Sequence, residues 1–250
     1  MRTRTASFAA GAVHVYTSIG AVLALLMVHY SYRGDVRAVL WLFLAAMVVD
    51  GTDGFLARHF DVKTVMPGFD GALLDNIVDY ITYAFAPMLL LWANGYLPAG
   101  VFGGVCAAVP VLASCYQFCR SDAKTDDHFF LGFPSYWNIV AFYVIVAGFG
   151  TTSTAVTLAI FSVLVFVPIK YLYPSRTNQL WHLNMTLATL WLVAFAVIVA
   201  QLPGPDDLLV AASLIYPVYY TVFSLWLTVR SGRGEKSPAS SQLSTSTGNS

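Results

Sequence analysis

The sequence predicts an all-α fold, a polytopic membrane bundle of about eight transmembrane helices. Three observations carry that reading. Apolar residues make up 58% of the 250 positions and charged residues only 10%, where an ordinary soluble domain is about a quarter charged. Mean hydropathy is +0.68. Uncharged runs cover 5–32, 80–119, 128–169, 177–205 and 208–229, and a bilayer-spanning helix needs about 20 largely apolar residues. A soluble domain, a disordered chain and a disulfide scaffold are excluded. Lys+Arg and Asp+Glu both number 13, so the net charge is zero and the basic footprint that nucleic acid requires is absent.

Breaks at charged, Gly and Pro clusters place the helices at 11–32, 36–60, 69–94, 98–119, 136–150, 153–173, 180–201 and 207–229. Arg2 and Arg4 ahead of the first run resemble the start of a signal peptide. The apolar run continues to Tyr32 without a clear small-residue cleavage site, so it reads as an uncleaved first helix. The fourth helix holds Cys106, Cys115 and Cys119, whose spacing fits neither a zinc site nor a redox pair; they read as packing residues. Asp206 and Asp207 suit the N-terminal dipole of the last helix. Residues 1–230 form the integral membrane domain, and 231–250, rich in Ser, Thr and Gly, a disordered tail. No internal repeat argues for an inverted-repeat transporter.

Basic residues set the orientation. With a cytoplasmic N-terminus, Arg2, Arg4, Arg58, Lys63, Arg120, Lys124, Lys170, Arg176, Arg230, Arg233 and Lys236 all fall inside, and only Arg33 and Arg37 fall outside. Both termini and the connection between the second and third helices are then cytoplasmic.

Asp50, Asp53, Asp75 and Asp79 interrupt otherwise apolar helices. A charge there is costly and marks a functional candidate. Asp50, Asp53, Gly54, Ala57 and Arg58 share one helical stripe, and Gly71, Asp75 and Asp79 share another. Counted from the outer helix ends, both sets sit roughly 18–21 Å deep, which brings four carboxylates to one level in the cytoplasmic half. Four facing carboxylates repel unless protonated or bridged by cations. Oxygen ligands favour a hard divalent ion, Mg²⁺ or Mn²⁺, and two such ions suit phosphoryl-type displacement. Gly54 and Ala57 leave the face open to a ligand, with Arg58 placed for a phosphate.

The segments Asp50-Gly-Thr-Asp53-Gly54-Phe-Leu-Ala57-Arg58 and Gly71-Ala-Leu-Leu-Asp75-Asn-Ile-Val-Asp79 resemble the signature of the CDP-alcohol phosphotransferase family. All eight motif positions are present. The spacer from His59 to Asp70 is longer than the common one, and Pro67 stands where a shorter spacer would place the glycine. That spacer, the helix number and the length resemble the bacterial phosphatidylcholine synthase branch, as do Phe130–Asn138 and Lys170–Arg176.

The resemblance implies a six-helix core and transfer of the phosphatidyl group of CDP-diacylglycerol to choline, with release of CMP, in the bacterial inner membrane. It implies that Asp50, Asp53, Asp75 and Asp79 hold Mn²⁺ or Mg²⁺ as two ions, and that Asp79 is also the general base. Gly54, Ala57, Arg58 and Gly71 would receive CDP-diacylglycerol, with Lys170 and Arg176 as further contacts. A homodimer is implied as well, and Gly100, Gly103 and Gly104 could bring helices close.

Choline, a permanent cation, calls for aromatic faces. Tyr83, Tyr116, Tyr136, Trp137, Tyr171 and Tyr173 are candidates, with Tyr136 and Trp137 preferred because the 120–138 loop is the largest polar inside segment. Asp122, Asp126, Asp127 and His128 read as a solvated loop; His14, His29 and His182 read as interfacial or core residues. Two rivals stand. A carboxylate-lined transporter would not need Gly54, Ala57 and Arg58 on the same stripe. Phosphatidylserine synthase, the rival within the family, would want a cation near Asp79, and Arg120 could supply it.

Overall fold

Helix boundaries follow the capping and breaking residues. The structure, a computed structural model that describes residues 4–123, 125, 129–173 and 180–234, opens with α1 over Arg4–Tyr32. The Asp35 carboxylate accepts from the Ala38 N–H at 3.0 Å and starts α2, Val36–His59. A short turn, α3 (Val62–Val65), occupies the spacer. Asp70 then accepts from the Leu73 N–H at 3.0 Å and starts α4, Gly71–Asp79. Both aspartates satisfy N–H groups that an apolar surrounding would leave stranded.

The third span does not remain a regular α-helix. A widened π turn, Tyr80–Phe85, joins α4 to α5, Ala86–Ala93. Pro87 sits at the start of α5. Its ring would collide with the carbonyl of a regular preceding turn, and the wider turn relieves that collision. The span of 71–93 is continuous nonetheless.

Next come α6 (Val101–Cys119), the short strand β1 (Phe129–Leu131), α7 (Trp137–Val146) and α8 (Thr151–Phe166). The expected helix 153–173 ends early because Pro168 cannot continue it. Lys170–Leu172 instead forms β2, antiparallel to β1 with Phe130 opposite Tyr171. The β2 backbone is held by α11: Lys170 N–H donates to Thr228 Oγ1 at 2.8 Å and Leu172 N–H to Ser224 Oγ at 3.1 Å. Gly132, at φ +80°, turns the chain out of β1 so close to the Val165 carbonyl that a side chain would collide with it. The chain closes with α9 (Trp181–Gln201), α10 (Asp207–Ser213) and α11 (Ile215–Gly234). The last helix thus extends past position 230, and the rest of the expected tail, 235–250, lies outside the described residues.

Among the described residues, six helical segments are long and apolar enough to cross a membrane, and α7 and α8 are shorter apolar helices. Eight segments therefore stand where eight were expected. The chain is a polytopic helical membrane protein. Its centre is aromatic: Phe43, Trp137, Phe142 and Phe195 are fully buried, and Phe142 stacks on Phe195 at 3.9 Å. The outward positions Leu25, Leu112, Val163 and Val222 are exposed and apolar, as hydrocarbon contact requires. Buried polar groups tie helices together. The Trp137 indole N–H donates to Ser114 Oγ at 2.7 Å, and the Tyr219 hydroxyl donates to Asn184 Oδ1 at 2.7 Å.

Candidate active site

Antiparallel α2 and α4 both pack against α1, and this fixes the level of their carboxylates. At Gly20 of α1 a side chain would collide with Val78, so the glycine lets α4 approach closely. Asp50, Asp75 and Asp79 converge, each offering a carboxylate oxygen within 4.8 Å of the other two. The Tyr83 hydroxyl donates to Asp50 Oδ2 at 2.6 Å. Asp53 takes a different place: it is buried and accepts from Thr17 Oγ1 at 2.8 Å. It faces the same cavity as Asp50 and Asp75. Three converging carboxylates make an all-oxygen donor set of the kind that suits a hard divalent cation. Like charges this close are otherwise stable only with protons taken up.

The cluster stands between two cavities. The larger, about 1080 Å³, is lined by Asp50, Asp53, Gly54, Ala57, Arg58, Gly71 and Asp75. The smaller, about 290 Å³, is lined by Asp50, Asp75, Asp79 and the aromatic side chains Tyr83, Phe118, Phe130, Tyr136 and Tyr173. Asp50 and Asp75 border both, while Asp79 borders the smaller one and not the larger. Gly54 has a further use within its own helix: the Arg58 guanidinium folds back over it, 3.3 Å from where a Cβ would sit.

The residues expected at the acceptor divide. Tyr136 lines the smaller cavity, its ring 6.0 Å from that of Tyr83 and 6.4 Å from Phe130. Trp137 is not brought there. It is fully buried beneath Phe133, and its one polar atom is spent on Ser114. Tyr116 lies against Phe166 and Tyr171 against Tyr220, away from the carboxylates. Lys170 lies outside both cavities, its ammonium 5.9 Å above the Phe129 ring. Arg176, Asp126, Asp127 and His128 lie outside the described residues.

Arg120 borders the smaller cavity, and its charge is already engaged. Its Nε and Nη2 donate to the two oxygens of Asp122 at 2.6 and 2.7 Å. Those hydrogen bonds hold the Asp122 carboxyl below its ordinary range.

His14, read from the sequence as interfacial or core, lines the larger cavity. Its buried Nε2 has no hydrogen-bond partner among the described residues, and its ring packs 4.3 Å from Phe69. Gly71 makes room for it, since a Cβ there would stand 2.8 Å from His14 Cε1. No spacing rule marks His14. Tyr83 is different: it continues the four-residue series Gly71, Asp75, Asp79.

The chain is similar to known proteins over most of its length. The family model for CDP-alcohol phosphatidyltransferase matches residues 14–229. A phosphatidylcholine synthase of Legionella pneumophila is 40% identical over 88% of this chain and 89% of its own length. A phosphatidylcholine synthase of Pseudomonas aeruginosa is 33% identical over 87% of this chain and 91% of its own. One of Borreliella burgdorferi is 32% identical over 87% and 94% respectively.

Proposed function

The chain belongs to the CDP-alcohol phosphatidyltransferase family, and we propose that it transfers the phosphatidyl group of CDP-diacylglycerol to choline, releasing CMP. One observation carries this reading: a carboxylate cluster borders a cavity of about 1080 Å³ that holds Arg58 on one side and a small aromatic cavity on the other. The phosphatidylcholine synthases to which the chain is similar support the choice of acceptor.

The larger cavity takes the CDP moiety. Arg58 faces its diphosphate, Gly54 and Ala57 leave the backbone approachable, and His14 Nε2 gains the partner it otherwise lacks. The smaller cavity takes choline. Its trimethylammonium rests against Tyr83, Phe130, Tyr136 and Tyr173, where aromatic faces and nearby carboxylates both favour a cation. Asp79, on the acceptor side, takes the hydroxyl proton as the choline oxygen bonds to the lipid-bearing phosphorus. The phosphoanhydride bond then breaks and CMP leaves. Tyr83 fixes the orientation of Asp50 through its hydrogen bond.

The family uses divalent metals, and the donor set fits them: Asp50, Asp75 and Asp79 would hold the first ion, and Asp53 would join them for a second. Mn²⁺ or Mg²⁺ there would neutralise the carboxylates and the charge developing on the phosphate oxygens. We assign the site and both termini to the cytoplasmic face of the bacterial inner membrane, a reading that the excess of Arg and Lys on one side supports. The division into a membrane domain and a polar C-terminal tail belongs to the same proposal. So does the homodimer, which rests on family resemblance.

The test supplies purified protein with CDP-diacylglycerol, Mn²⁺ and labelled choline or serine in parallel, with and without EDTA. Label from choline entering lipid, lost with EDTA, is the expected result. Label from serine alone would overturn the acceptor, and EDTA-insensitive transfer would overturn the metal chemistry.

A further inference from the structure

An aromatic cavity floored by carboxylates attracts a cation, yet one basic side chain stands in its wall. Among the described residues, Arg120 is the only Lys or Arg lining the smaller cavity. A bare guanidinium there would repel a trimethylammonium group. It would also offer a planar pair of donors to a carboxylate-bearing acceptor such as serine.

The guanidinium is not bare. Its Nε and Nη2 are taken by both oxygens of Asp122, and its Nη1 donates to the Leu131 carbonyl at 3.4 Å. Tyr116 covers it from one side, with its ring centre 5.3 Å away. The partners differ in exposure: Arg120 is 13% exposed and Asp122 is 63% exposed. The carboxylate therefore approaches from the solvent side and closes the donor fork of an arginine that is largely buried. With its carboxylate still solvated, the pair adds little to stability. Its consequence is electrostatic, since it cancels a positive charge beside a site for a cation.

We infer that Asp122 is a specificity-determining residue, which by occupying Arg120 keeps the acceptor cavity selective for a quaternary ammonium alcohol over an amino acid. This inference rests on the choline reading above. Asp122 acts through Arg120 and does not itself line the cavity.

The experiment measures KM and kcat for both substrates in the full-length protein, with serine as competitor. Asp122→Asn exposes the guanidinium. Choline KM is expected to rise roughly three- to tenfold, the effect of one unscreened charge several ångströms from a cation. The CDP-diacylglycerol KM should stay unchanged, and serine should become a competitive inhibitor. Asp122→Glu, which keeps the charge, should behave as the wild type. The double variant Arg120→Gln/Asp122→Asn, which removes both charges, should regain the wild-type choline KM. An unchanged choline KM in Asp122→Asn overturns the proposal. So does a rise that the neutral double variant fails to reverse, because a purely structural role of the loop would give that pattern. A wild-type protein that incorporates no choline overturns the acceptor assignment itself, a result distinguishable from either.

Discussion

The two cavities that meet at the carboxylates are built in different ways. The proposed nucleotide side is mostly local in sequence: apart from Val13, His14 and Thr17 on α1 and Thr125 and Tyr173 from later in the chain, its lining lies between Asp50 and Asp75, on α2, α4 and their connection. The proposed acceptor side is assembled from distance. Tyr83 comes from a π turn, Phe118 from the end of α6, Phe130 from β1, Tyr136 from the loop before α7 and Tyr173 from just beyond β2. One side thus depends on the spacing of residues along two helices. The other depends on a small antiparallel strand pair docked on α11. Chemistry common to a family can be written in a short motif, whereas the aromatic cavity proposed for the acceptor depends on packing between elements far apart in the chain.

The sharpest way to break this division is to remove the acceptor-side carboxylate. Asp79→Asn should lower turnover by about 10²–10⁴-fold, the usual contribution of a positioned general base, while CDP-diacylglycerol binding persists. Unchanged turnover would remove Asp79 from the base role. A smaller effect should follow on the nucleotide side from Gly71→Ala, whose added Cβ stands 2.8 Å from His14 Cε1. Displacing that ring should raise the CDP-diacylglycerol KM by about tenfold, in keeping with the 1–3 kcal/mol typical of overpacking. The choline KM should not move; if it did, the two cavities would not be separate. Smallest is Trp137→Phe, which deletes the indole donor to Ser114. Loss of that hydrogen bond should cost about 1 kcal/mol of stability, read as a lower melting temperature, with both KM values preserved. A raised choline KM in this variant would return Trp137 to the acceptor site.

Much of the fold was legible because hydrocarbon imposes a simple rule on sequence. Eight expected helical segments have counterparts among the described residues, and Asp35, Asp70 and Asp206 cap helices within a residue or two of the expected starts. The carboxylates were legible for a related reason, since Asp50, Asp75 and Asp79 have no business in lipid unless they face a cavity. What local pattern could not show was the tertiary alternative to helix at 170–172, where Pro168 frees the chain and Ser224 and Thr228 capture its N–H groups. Trp137 and Tyr136 illustrate the limit most plainly. They are adjacent and chemically alike, yet Tyr136 precedes the first turn of α7 and reaches the cavity, while Trp137 begins the helix and points to Ser114. His14 went unrecognised because a lone histidine on an apolar helix gives no signal until Gly71 and Phe69 are seen beside it.

The separation of the two sides is tested most directly by measuring KM for both substrates in His14→Ala and Tyr136→Ala prepared in parallel. His14→Ala should raise only the CDP-diacylglycerol KM, by about threefold to tenfold for one hydrogen bond. Tyr136→Ala should raise only the choline KM, by about tenfold for one cation–π face. If both variants weaken the same substrate, or each weakens both equally, the carboxylates do not stand between two separate binding sites.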